Sequence, residues 1–268
     1  MPMRKTGFYL CAFFLLPAAC QKPDEAVERP ASRVDVNAEA RVLAALERRS
    51  AILDDFSYRG VMESEDGSDR SKFSFRFQQP GKMWASLNDE GLTYVFDGNW
   101  LAVIEHKKKR VLKQDISQKD AGTRLAALHE LFRKFSVEGW RAPLLRMKRD
   151  GLGVTEVVEQ EIRYWEIESP IDDGELALVR YRFSAPGADF VRKEFVNKKG
   201  EVTASTIVTK SASDATTQRE FPVAWEQRNA RGLVRIRLEE WQVNPGLSSD
   251  AFSVIVPDGY QLQVIAGQ

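Results

Sequence analysis

Lys72-Phe73-Ser74-Phe75-Arg76-Phe77-Gln78-Gln79-Pro80-Gly81-Lys82 decides how this chain is read. Phe73, Phe75 and Phe77 alternate with Lys72, Ser74, Arg76 and Gln78, the period of a strand with one buried face. Gln79-Pro80-Gly81-Lys82 then supplies a turn. Working outward, Phe56 to Glu63 alternates more loosely before it, and Met83 to Leu87 returns after it. Leu92 to Phe96 and Trp100 to Glu105 flank Asp97-Gly98-Asn99, a hairpin signal, and Val111 to Ile116 follows the turn from His106 to Arg110. Strands this close together have no room for crossover helices, so the pattern predicts an antiparallel meander.

Two helices are predicted around it. In the first, Asn37 caps, Glu39 sits in the first turn, and Val42, Leu43, Leu46, Leu53 and Phe56 form the apolar stripe. The second lies between Asp120 and Phe135, with Leu125, Leu128, Leu131, Phe132 and Phe135 on one side. Further strands are predicted at 154–158, 162–168, 176–183, 190–197, 202–210, 233–243 and 251–256, with a hairpin turn at Asn197-Lys198-Lys199-Gly200. No linker or repeat divides 37–268, which predicts one mainly β domain of about a dozen strands with two helices. A sheet of that size must curl to bury its apolar face. The expectation is an incomplete antiparallel β-barrel, a half-barrel, with a helical lid. Its inner wall would carry Phe73, Phe75 and Phe77, then Leu92, Tyr94 and Phe96, then Trp100, Ala102 and Ile104.

The N-terminus reads differently. Met1-Pro2-Met3-Arg4-Lys5 is basic, Phe8 to Leu16 is an uncharged apolar run, and Pro17-Ala18-Ala19 precedes Cys20. This layout predicts a signal peptide over 1–19, and a run that short does not span a bilayer. The segment resembles a lipobox, which implies acylation of Cys20; Leu16 stands one place early, with Pro17 in the position usually held by Leu. The alternative is ordinary cleavage nearby and a soluble periplasmic product. Gln21, not Asp, after Cys20 points to the outer membrane. Residues 20–36, with two prolines and little to bury, read as a tether.

Composition narrows the functional classes. Cys11 falls in the leader and Cys20 is the other cysteine, so a mature domain without Cys11 has no disulfide or thiolate metal site. Basic and acidic residues balance at 39 each, and loss of Arg4 and Lys5 removes two from the basic side. Such a chain has no footprint for nucleic acid. His106 and His129 stand far apart in sequence, and there is no Gly-x-Ser-x-Gly elbow. Gly151-Leu152-Gly153 lacks a third glycine, and Asp66-Gly67-Ser68-Asp69 reads as a turn and not a calcium loop. Neither Asp54-Asp55 nor Asp172-Asp173 is spaced as a catalytic dyad. We therefore expect no enzyme, catalytic residue, metal site or cofactor.

Two stretches carry a family resemblance. The quoted strand with its proline turn, followed by Tyr94-Val95-Phe96-Asp97-Gly98-Asn99-Trp100, is similar to the outer-membrane lipoprotein carriers and acceptors, the LolA/LolB-like superfamily. Leu247 to Pro257 resembles the closing strand of that fold. The resemblance implies a half-barrel holding acyl chains or lipidated cargo in an apolar cavity. Phe73, Phe75, Phe77, Leu92, Tyr94, Phe96 and Trp100 would form the wall, and Leu128, Leu131, Phe132 and Phe135 the lid. Its soluble members are carriers and its anchored ones acceptors, so Cys20 points to an anchored member at the periplasmic face of the outer membrane. From the residues alone the same aromatic stripe also fits a filled core, and an envelope sensor or a structural lipoprotein with a protein partner stays open.

Overall fold

The computed structural model describes residues 38–79, 81–119 and 153–265. Cys20, the tether, Asn37 and the second helix with Leu128, Leu131, Phe132 and Phe135 lie outside these residues.

The first helix, α1 (Ala38–Ala51), buries Ala38, Val42, Ala45, Leu46 and Arg49 on one side. Glu39 in its first turn and Arg48 and Arg49 in its last complement the helix dipole. It is shorter than its apolar stripe suggested. Leu53 and Phe56 lie beyond its end, and Phe56 belongs to the first strand. Their inward spacing continues only because the chain turns into the sheet on the same side. Asn244 holds that turn: its side chain accepts from the Asp54 and Asp55 amides (2.9 and 3.3 Å) and donates to the Ile52 carbonyl (2.8 Å).

The first meander runs through β1 (Asp55–Ser64), β2 (Arg70–Gln78), β3 (Lys82–Leu87), β4 (Leu92–Phe96), β5 (Trp100–Glu105) and β6 (Arg110–Asp115). The second runs through β7 (Val154–Glu159), β8 (Ile162–Asp173), β9 (Leu176–Ser184), β10 (Asp189–Asn197), β11 (Val202–Asp214), β12 (Arg219–Asn229) and β13 (Gly232–Val243). A last strand, β14 (Gln261–Ile265), completes one open sheet of 14 strands. Its order is β14-β6-β5-β4-β3-β2-β1-β13-β12-β11-β10-β9-β8-β7. The meanders meet where β1 pairs antiparallel with β13, and β14 joins β6 in parallel. The molecule is a mainly β, incomplete antiparallel barrel with a helix on its inner face.

Turn chemistry sets the hairpins. Gly98 adopts φ +109 at Asp97-Gly98-Asn99, and the Asp97 carboxylate accepts from the Asn99 and Trp100 amides at 2.9 and 2.8 Å. At the β10–β11 turn the Gly200 amide donates to the Asn197 carbonyl at 2.9 Å. Asp66 accepts from Ser64 and Ser68, which holds its carboxyl down at about 2 and makes the segment a turn.

Three readings are corrected. The closing strand predicted at 251–256 is absent: Ser249–Phe252 is a 3-10 turn, and 253–260 crosses the outer face without pairing. The Pro257 turn delays pairing until Gln261, so β14 is the closing strand. Strand β12 was not predicted, although Phe221, Val223 and Trp225 alternate within it. Its Pro222 is accommodated because the β11–β12 register shifts at Lys210/Ser211, beside it. Trp100, Ala102 and Ile104 are on the wrong face. Tyr94 pairs with Val103 and Phe96 with Leu101, so Leu101 and Val103 share the inner face and Trp100 points outward. A shift of one residue in a strand exchanges its faces.

Two different coverings finish the outer face. Val95, Ala102, Ile104 and Val111 form a small cluster under Trp84, Val254 and Tyr260, so the C-terminal crossing shields the first meander. His106 pins it, with its ring nitrogens 3.1 Å from the Tyr260 and Thr93 hydroxyls. On the second meander an ionic lattice takes that place. Arg180 meets Glu168 and Glu194 at 2.8 and 3.2 Å, and Arg182 meets Glu159 and Glu166 at 2.7 and 2.5 Å.

Candidate functional site

Register brings the inner face together. Phe56 faces Phe77, Tyr58 faces Phe75 and Gly60 faces Phe73; the next rows place Met83 beside Phe96, Ala85 beside Tyr94 and Leu87 beside Leu92. The rings form a continuous stack. Phe56 lies 5.1 Å from Phe77 and 5.6 Å from Phe75, and Tyr58 lies 5.0 Å from Phe75 and 6.0 Å edge-on from Phe73. Offset and edge-on pairs of this kind add to area burial. Burial drives the Tyr94 hydroxyl up to about 12, with Glu90 and Glu105 adding to it, so this wall holds a neutral phenol at ordinary pH.

The opposite half continues the same apolar surface through Trp165, Ile167, Tyr181, Phe183, Phe190, Trp225 and Ile236. Helix α1 bridges the halves. Val42 and Leu46 enter the core, Arg41 meets Glu156 of β7 at 2.8 Å, and Arg49 meets Asp189 of β10 at 2.6 Å. Arg49 is 3% exposed, also donates to the Glu220 carbonyl at 2.6 Å and lies 5.2 Å from the Phe221 ring. A buried guanidinium is tolerable only with such partners.

Where the last turn of α1 leaves the sheet, the face does not close. A cavity of about 50 Å³ is lined by Arg49, Leu53, Phe56, Tyr58, Phe190, Phe221, Leu238 and Trp241, among others. That space has room for only a few waters, whereas sites for drug-sized ligands occupy roughly 300–1,000 Å³. The indole Nε1 groups of Trp165 and Trp225 are also buried on this side of the sheet without a hydrogen-bond acceptor among the described residues. Buried donors of this kind are normally satisfied, so two on one face stand out.

Of the sequence-predicted wall, Phe73, Phe75, Phe77, Tyr94 and Phe96 come together in the main core, and Leu92 packs against it partly buried. Trp100 instead packs under Lys113 on the outer face, its ring 4.2 Å from the ammonium. Sequence reasoning missed Arg49, Trp165, Phe190 and Trp225. The alternation of Trp165 with Ile167, and of Phe221 with Trp225, was the signal that could have found the apolar ones. Nothing local marks Arg49, which looks like any cation near a helix C-terminus.

An open, mostly antiparallel half-barrel with an apolar, helix-covered inner face defines the fold class. Within it, the chain has the LolA-like fold. It matches a structure of an outer membrane lipoprotein-sorting protein domain from Vibrio parahaemolyticus at TM-score 0.54 and 10% identity, over 80% of this chain and 97% of that one. A DUF1329 family protein from Desulfovibrio piger gives 0.56 at 13%, covering 81% and 97%. A LolA superfamily protein from Nitrosomonas europaea gives 0.52 at 12%, covering 80% and 97%. No family model and no curated protein sequence matches the chain.

Proposed function

We propose that the inner face binds acyl chains, of lipids or of lipidated polypeptides, on a chain anchored through Cys20 at the periplasmic face of the outer membrane. The apolar cavity at the end of α1 carries this reading: the aromatic wall borders it, and an acyl chain would enter by widening that gap between helix and sheet. Each CH₂ taken from water contributes about 0.8 kcal/mol, so one acyl chain is enough to hold such a separation open. The likeness to a lipoprotein-sorting domain supports the same cargo class. The role would be transport or insertion without chemistry.

A second reading is favoured by the smallness of the cavity. A half-barrel with a filled interior would serve as an envelope sensor or interaction module, and β14 offers Leu262, Val264 and Ile265 exposed at one edge of the sheet for a protein partner.

The test is native mass spectrometry and fluorescent fatty-acid uptake by the full chain carrying Cys20→Ser. Saturable uptake that is lost in Leu238→Phe, which fills the cavity, supports acyl binding. Phe75→Ala serves as a second probe if the first variant melts early. A chain that is empty and takes up no fatty acid, while melting as one folded species, turns the assignment to the partner-binding reading.

A further inference from the structure

On the outer face, five strands place one residue each in a single row. Lys72 of β2 faces Val61 of β1, Val61 faces Arg237 of β13, Arg237 faces Ala224 of β12, and Ala224 faces Lys210 of β11. Every second position is a cation, and the positions between are small and apolar. Strands lie about 4.8 Å apart, so the cations recur at roughly 10 Å. Lys72, Arg237 and Lys210 are exposed, while Val61 is buried and Ala224 half-buried.

Neighbouring rows differ. On one side Arg59 pairs with Glu240. On the other Arg70 faces Glu63, Glu63 faces Arg235, and Arg235 pairs with Glu226 at 3.1 Å. Acid and base alternate there and cancel. In the central row neither Lys72 nor Lys210 forms a side-chain ion pair among the described residues; Glu239 reaches Arg237 at 3.9 Å, and the Asp89 carboxylate accepts from the Lys72 backbone amide at 2.9 Å. The whole chain is balanced in charge, so composition hides this local excess. An open depression bordered by Lys210, Ala224, Arg237 and Glu239 lies at the β11–β13 end of the row.

We infer that this row is a docking surface for an anionic phospholipid bilayer, distinct from the inner face and independent of what that face holds. Long cations around an apolar floor suit a layer in which phosphates alternate with glycerol and acyl carbons. Each cation brought to an anionic surface contributes about a factor of five in the binding constant, attenuated by salt.

Co-sedimentation of the full chain carrying Cys20→Ser with vesicles tests this, since binding then cannot come from the anchor. Expected are binding to equal parts phosphatidylglycerol and phosphatidylcholine, none to phosphatidylcholine alone, and weakening with added salt. Lys72→Ser, Arg237→Ser and Lys210→Ser together should lower the binding constant on the order of 10²-fold with unchanged melting. Lys198→Ser with Lys199→Ser, in the β10–β11 turn, should leave it within about a factor of two. Equal binding by the triple variant and the parent overturns the inference. So does a parent that ignores the mixed vesicles but binds polyglutamate, which would make the partner an acidic polypeptide.

Discussion

At the residue scale, Gly60 marks the one place where the β1–β13 ladder is irregular and the packing excludes a side chain. The β1–β13 register shifts between Arg59 and Gly60, and a Cβ at Gly60 would stand 2.5 Å from the Arg237 carbonyl oxygen and 3.0 Å from the Phe73 ring. The first contact is with backbone, so no side-chain rotation relieves it. Gly60→Val should destabilise the fold by about 1–3 kcal/mol, the usual cost of overfilling a packed site. Urea denaturation of the variant measures this, and an unchanged midpoint would show that the bulge is not tightly packed. From sequence, Gly60 is one glycine in an alternating strand. What distinguishes it is a carbonyl 177 positions away, brought near only by strand pairing. Arg49 is similar: its partners Asp189 and Glu220 come from β10 and β12, so no local pattern could show that this cation is buried.

At the element scale, the two outer coverings have different consequences. The lattice around Arg180 and Arg182 lies within neighbouring strands and needs nothing from elsewhere. The cluster of Val95, Ala102, Ile104 and Val111 depends on one crossing segment, held by Val254, Tyr260 and the parallel pairing of β14 with β6. Ending the chain at Phe252 should expose this apolar surface and the outer edge of β6 together. The expected result is increased binding of an apolar dye and concentration-dependent self-association, with the inner core retained. A truncated chain that stays monomeric and binds no more dye than the parent would show that the crossing is not a structural cover. Most strands were legible as elements because alternation is local. The crossing was misread as a strand because Val254 and Val256 alternate as a strand does, whereas Val254 is half-buried by packing across other strands and Val256 is exposed.

At the scale of the whole molecule, one ladder decides whether this is one barrel or two meanders. The chain passes from β6, near one edge of the sheet, to β7 at the other, while β1 and β13 pair in the middle. Cutting between residues 119 and 153 therefore severs no described strand and leaves the β1–β13 ladder intact. With a specific protease site introduced there, the nicked protein should elute as one species under native conditions and separate in denaturant. Fragments that part without denaturant would mean that the ladder and shared core are too weak to unite the halves. Sequence alone determined the mainly β class, the first meander with its hairpin turns, and the aromatic face of β2 and β4, because period two and turn chemistry act over a few residues. Only tertiary structure decided which faces meet across β4 and β5, that the C-terminal strand runs parallel, and that three distant cations share one row. Those outcomes depend on strand register, and register is set by pairing between segments that carry no information about one another locally.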